Sequence, residues 1–322
     1  MILMLTGCRV DKENNTDLLL GTAALLYSFN SSPAIYITIV SHNETDSRYD
    51  YYNTESGYLQ MRNAIISMAQ LFSRYGAQYH FQPDWRFLEA AKLYETPANM
   101  ANTNNKNILR YLKEDLGHHV DPHSHESGGY NYADVAYLIS QFGVDPGDIV
   151  GGFIQSSSDP SQIIWEKFRN PVYPLKYSSS GYSWGAHVLW GGGTMFHLGE
   201  DYRSGLIRPS SADNFFTHNP SGNLIALGNC SINSNLNIAL DNLVLAIYNY
   251  KIASSNRIYN ISMVVFEQEV VVGGPEVLKK YEDNLKKIDA YVKQGKVQWA
   301  SLNKTVTDWQ AGGEIPALLP CN

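Results

Sequence analysis

Ala34-Ile35-Tyr36-Ile37-Thr38-Ile39-Val40 runs directly into Ser41-His42-Asn43-Glu44-Thr45-Asp46. The first seven residues are short, apolar and β-branched, and predict a buried strand. The polar residues after Val40 mark where that strand ends. Moving outward, Gly57 to Tyr75 sets Met61, Ala64, Ile65, Met68, Leu71, Phe72 and Tyr75 at helical spacing, with Gly76 as the stop. Gln78 to Phe81 reads as a short strand, Pro83 to Tyr94 as a helix with proline near its first turn, and Asn105 to Leu116 as a further helix. Later in the chain, helices are predicted over 131–142, 160–168, 236–250 and 275–293, with a short helical turn over 305–310. Strands are predicted over 149–154, 224–227, 261–266 and 297–302, and Val188-Leu189-Trp190 stands out from a Gly-, Ser- and Pro-richer stretch over 170–222. Strands that alternate with helices point to an α/β fold with a mainly parallel sheet. Seven or eight such units without a linker predict one (β/α) barrel over 34–311, after segments 1–8 and 9–33 and before a tail, 312–322. In such barrels the chemistry sits at the C-terminal ends of the strands.

A second polar cluster also falls at a predicted strand end. Gly117-His118-His119-Val120 is followed by Asp121-Pro122-His123-Ser124-His125-Glu126, and four of the nine histidines lie between 118 and 125. In extended backbone His123 and His125 share a face with Cβ atoms about 6–7 Å apart, close enough to grip one metal ion. His118 and His119 read instead as a capped strand start in solvent.

Composition narrows the partners. The chain has 322 residues, 44% of them hydrophobic, enough to bury a sizeable core. With 24 basic and 31 acidic residues and no Lys/Arg-rich run, it is not built to bind nucleic acid. Its 22 tyrosines and 6 tryptophans suit sugar faces and hydroxyls as well as half-buried packing. Trp184, Trp190 and Tyr182 form a candidate sugar platform, with core packing the alternative for at least one of them.

Leu5-Thr6-Gly7-Cys8 resembles a bacterial lipobox, in which the cysteine becomes the lipidated first residue. Only seven residues precede Cys8, so either the start lies further upstream or the match is accidental. The lipobox reading predicts an exported, lipid-anchored protein of the cell envelope. The apolar run from Leu18 to Phe29 is too short to span a bilayer. With Cys8 lipidated, Cys230 and Cys321 either bridge the C-terminal tail to the body or remain two buried thiols.

The chain resembles the polysaccharide deacetylase (NodB-homology) superfamily over residues 34 to 311. Strand one with Ser41-His42-Asn43-Glu44 sits where that family has its first motif, Thr-Phe-Asp-Asp. Gly117-His118-His119-Val120-Asp121-Pro122-His123-Ser124 looks like its second, and Gly295-Lys296-Val297-Gln298-Trp299 with Trp309 looks like its last strand and helix. The resemblance implies a distorted (β/α) barrel and a metal-dependent carbohydrate esterase. It also exposes departures. The family's general base falls on Asn43, which cannot accept a proton, and its metal-binding Asp falls on Glu44. The second motif's later histidine falls on Ser127, two residues beyond His125. The late-strand histidine acid has no counterpart before Glu267-Gln268-Glu269.

A hydrolytic metal site needs about three protein ligands and an open position for a water that the metal acidifies. Glu44, His123 and His125 supply such a set, with His42 on the same face as Glu44 if the strand continues. One divalent metal, Zn²⁺, is the expected cofactor. Asp46 or Glu126 is the candidate base, and His197 or Glu267 the candidate acid. The expected activity is hydrolysis of a carbohydrate or related polymer. Two alternatives stay open: a metal-independent glycoside hydrolase with paired carboxylates such as Glu44 and Glu267, and a non-catalytic carbohydrate-binding lipoprotein, which Asn43 favours.

Overall fold

The computed structural model describes residues 34–43, 51–151, 170–190, 203–211, 214–228, 230–232, 236–248 and 256–321. Strand β1, Ala34–Asn43, extends three residues into the polar cluster and is the axis of the fold. Its helix-side neighbour α1, Glu55–Arg74, starts where the Thr54 hydroxyl accepts from Gly57 N. Then come β2 (Tyr79–Pro83), α2 (Trp85–Tyr94), α3 (Ile108–Arg110, continued by a π-turn over Tyr111–Asp115) and β3 (His119–Val120). Helix α4 (Tyr132–Gln141) is opened by a reciprocal cap between Asn131 and Asp134. Short strands follow: β4 (Ile149–Gly151), β5 (Val188–Trp190), β6 (Arg203–Ser204), β7 (Leu206–Ile207), β8 (Ile225–Leu227) and β9 (Ser231–Ile232). The chain continues through α5 (Leu236–Tyr248), β10 (Ile258–Val264), α6 (Glu267–Lys293), β11 (Gln298–Trp299), α7 (Leu302–Ala311) and β12 (Leu319–Pro320).

Two boundaries differ from the sequence reading, each for a local reason. Pro83 closes β2 and does not open α2, because the Asp84 carboxylate caps that helix through Arg86 N and Phe87 N. Helix α6 begins eight residues before Pro275, at Glu267. Gly274, at φ 56° and ψ −138°, kinks the chain where the proline re-enters the helix.

The result is an α/β fold with a parallel central sheet in the order β3-β2-β1-β10-β9. Strand β10 lies beside β1 from Ala34 to Val40. The other edge of β1 is shared, with β11 on Tyr36 and Ile37 and β2 from Ile39 to Asn43. A second sheet runs β4-β5-β8-β7, parallel except for β7. One parallel bridge, His123 to Gly151, joins β3's extension to β4.

Period-two alternation along β1 decides what each side chain meets. Ile35, Ile37 and Ile39 pack into the helix-side core with Met61, Ile65, Met68 and Phe72 of α1. Tyr36 and Val40 face the other way, into a cluster with Ile149, Val188, Trp190, Ile225 and Leu227 of the second sheet and Val306 and Trp309 of α7. The two sheets thus share one interior, and the Trp190 indole crosses it to donate to Ser262 Oγ on β10 at 3.0 Å. Cys230 and Cys321 form a disulfide. Among the described residues no helix is long and apolar enough to cross a membrane.

Candidate functional site

The inward face of β1 ends in His42, and β3's extension delivers His123 beside it. Asp121 N and His123 N bond to the β2 carbonyls of Phe81 and Pro83, while the Pro122 carbonyl accepts from Gly151 N at 3.0 Å. The proline's missing N–H falls on the β4 side, so the pairing with β2 that fixes His123 is kept. The His42 and His123 rings lie 4.1 Å apart between centroids, and the His42 ring meets Trp190 edge to face at 4.9 Å. His123 is fully buried and His125 exposed, so the cluster runs from the interior to the surface.

His123 Nε2 and His125 Nε2 are 3.2 Å apart. Two nitrogens bound at about 2.0–2.1 Å to one tetrahedral ion lie about 3.3 Å from each other. An N–H···N hydrogen bond spans the same distance. Among the described residues no three His, Cys, Asp or Glu side chains close on one ion position. The donors fit Zn²⁺ in kind, and His42 would have to turn from its tilted contact with His123 to join them.

The loop after His125 is held by packing. The Trp85 ring stacks on Tyr130 at 4.3 Å and its indole N–H donates to Ser127 Oγ at 3.2 Å. A Cβ on Gly128 would stand 2.5 Å from that ring, which requires glycine there. Glu126, half-buried, sits on this loop with its backbone N–H on Ser124 Oγ.

Glu267 and Asn43 are not part of the imidazole cluster. Asn43 follows His42 and so points to the opposite, helix side of β1. There Asn43 Nδ2 donates to Glu267 Oε2 at 3.2 Å, Tyr79 Oη donates to Glu267 Oε1 at 2.7 Å, and Tyr52 Oη donates to Asn43 Oδ1 at 2.5 Å. Burial pushes the Glu267 carboxyl above its ordinary range, against the hydrogen bonds from Ser41, Tyr79, its own backbone and Asn43. A raised folded pKa means stability is intact below the unfolded value of about 4.3 and is lost as pH rises through the folded one. Glu267→Gln is therefore expected to flatten the pH dependence of stability above about pH 4, by up to about 1.4 kcal/mol per pH unit. Urea unfolding of both proteins from pH 4 to 8 measures this. Parallel curves would show that Glu267 does not titrate with folding.

His118, His119 and His80 have structural partners. His118 is buried, not solvated as its sequence context suggests. Its Nε2 lies 3.0 Å from both Ser73 Oγ and Ala69 O, and burial lowers its pKa. His119, half-buried, stacks on His80 at 4.3 Å, and burial, then His80, pushes it down to about 4. His80 binds the Asp121 carboxylate at 2.5 Å and receives the backbone N–H of Leu302 at 3.0 Å, tying α7 to β2. Of the aromatic platform, Trp184 is buried, with its indole N–H on Gly147 O at 2.7 Å. Gly147 lies in the loop before β4, with φ 63°. Trp190 is buried as a wall of the site, and Tyr182 is half-buried beside Tyr137. Core packing accounts for both tryptophans. Cys8, Glu44, Asp46 and His197 lie outside the described residues. Sequence reasoning missed Gln82, which directly follows the predicted strand Gln78 to Phe81, and Trp85, which fell inside the predicted helix Pro83 to Tyr94. The chain matches no protein-family model and no curated protein.

Proposed function

We propose that this chain is a metal-dependent hydrolase of the deacetylase type, acting on a carbohydrate or related polymer at the cell envelope from a (β/α) barrel. The observation that carries this reading is the meeting of His42, His123 and His125 at the C-terminal ends of β1 and β3, with two Nε2 atoms 3.2 Å apart. The bridge from His123 to Gly151 and the Trp190–Ser262 bond support the barrel. His123 and His125 are the nitrogen ligands, His42 the third, and Glu44, next in sequence to Asn43, the carboxylate. A divalent ion there supplies Lewis-acid chemistry and lowers the pKa of a bound water. Trp190 keeps bulk water from the inner side of His42. Glu126, one residue after His125, is the proton acceptor among the described residues, since Asn43 is bonded to Tyr52 and Glu267 on the other face. That same packing turns Glu267 away from the imidazoles, which leaves the paired-carboxylate glycosidase reading without support. The disulfide fits an oxidising, exported setting, and the lipid anchor rests on Leu5-Thr6-Gly7-Cys8.

Elemental analysis of the purified protein tests the reading. We expect about one zinc per chain, lost in His123→Ala, whose far-ultraviolet circular dichroism stays that of the wild type. No metal in either protein, with equal thermal stability, would overturn it.

A further inference from the structure

We propose that Gln82 is a ligand-recognition residue of the histidine site, and that its carboxamide takes a neutral group able both to donate and to accept a hydrogen bond, as a sugar hydroxyl does. The inference rests on the reading of this site as one that takes carbohydrate. Gln82 is completely buried, and neither its Oε1 nor its Nε2 has a hydrogen-bond partner. Among the described residues it is the one side chain with two such atoms. A buried carboxamide left this way is a standing cost to folding, and native proteins keep such groups where something else uses them.

Its position says what uses it. Gln82 is the register partner of His42 across β1 and β2, so the two side chains leave the sheet on the same face. Its carboxamide lies against Gly151: a Cβ there would stand 1.7 Å from Oε1 and 3.0 Å from Nε2. Gly151 is the bridge partner of His123 and the register partner of Trp190, and the Trp190 ring meets His42. His42, Gln82, Gly151, His123 and Trp190 are thus neighbours through register, bridge and ring contact, and glycine at 151 is what admits the carboxamide beside them.

The two orphaned atoms define the guest. An anion would satisfy only Nε2, and a metal ion only Oε1. A hydroxyl offers an O–H to Oε1 and a lone pair to Nε2 and leaves neither stranded.

Gln82→Met keeps the volume and deletes both polar atoms. Three measurements on wild type and variant decide the matter: melting of the metal-free proteins, calorimetric titration with Zn²⁺, and titration of the Zn²⁺-loaded proteins with neutral cello-, xylo- and manno-oligosaccharides. The variant is expected to melt higher than wild type, to bind Zn²⁺ within about threefold, and to bind the oligosaccharides at least about tenfold more weakly. A lower melting temperature would show that Gln82 has a structural partner and would overturn the proposal. Equal oligosaccharide affinity in the two proteins, or no binding by the wild type, would overturn it as well. If the wild type takes up no Zn²⁺, the hydrolase reading fails by itself, while the melting comparison still judges Gln82.

Discussion

Arg62→Ala is expected to destabilise the protein by about 3–5 kcal/mol, the usual result of stranding one member of a buried ion pair. Arg62 lies on α1 with its side chain 1% exposed, and its partner Glu95, which ends α2, is 4% exposed. Every nitrogen of the guanidinium is engaged. Nε reaches Glu95 Oε1 at 2.6 Å, Nη1 reaches Asn102 Oδ1 at 2.7 Å, and Nη2 reaches Thr103 Oγ1 at 2.7 Å. Glu95 is equally engaged, accepting Tyr58 Oη at 2.6 Å and the first backbone N–H of α3, from Ile108, at 3.2 Å. Alanine removes the charge that compensates Glu95 and leaves the Asn102 and Thr103 oxygens without their donor. The pair as a whole is worth less than either half alone implies, because desolvation of two charges offsets much of their attraction. Arg62→Met combined with Glu95→Gln should therefore cost less than the two single costs added, and urea unfolding of the four proteins gives the coupling directly. A single-mutant cost below about 1 kcal/mol would mean that the pair behaves as a surface pair does, with no buried charge stranded by the substitution.

This ion pair was invisible in the sequence, and the reason applies to the site as well. What was legible follows local rules. The strand at Ala34 follows from its short apolar, β-branched run and the helix under Met61 to Phe72 from its hydrophobic period, and both occur, with α1 packed on the odd face of β1. The two-residue spacing of His123 and His125 likewise brought their Nε2 atoms together. What was not legible depends on partners far away in the chain. Glu267 looked like a strand-end carboxylate because nothing in Glu267-Gln268-Glu269 announces a helix ahead of Gly274-Pro275. Only the packing of α6 shows that it faces Asn43 and Tyr79 on the helix side. Trp184 and Trp190 read as a platform because composition cannot tell an exposed ring from a buried one. Gln82 carried no signal by itself; its meaning comes from the strand pairing that sets it opposite His42 and against Gly151. Period and spacing thus assigned residues to faces, and non-local register decided which faces meet.

Removing the Cys230–Cys321 disulfide is the other change with a large expected effect. The two cysteines are 91 residues apart in sequence. Closing a loop of that length restricts the unfolded chain by about 4–5 kcal/mol on the entropic view, although measured losses more often fall at about 2–4 kcal/mol. The native contacts around it remain after the sulfurs are gone. Strand β12 pairs antiparallel with β6, Cys230 N donates to Arg203 O at 3.0 Å, and Ala317 N donates to Leu206 O at 3.0 Å. The neighbouring polar groups are also satisfied, with Ser204 Oγ accepting Asn260 N and Asn260 Oδ1 accepting Gly205 N, each at 2.8 Å. The cost should therefore appear as easier unfolding with the folded state unchanged. Cys230→Ala with Cys321→Ala is expected to lower the urea midpoint by the equivalent of about 2–4 kcal/mol while leaving the near-ultraviolet circular dichroism as it was. A reductant should lower the wild-type midpoint by a similar amount and leave the double variant untouched. If instead the wild type unfolds identically with and without reductant, the crosslink does not restrain the unfolded chain, and the tail is held by its hydrogen bonds alone.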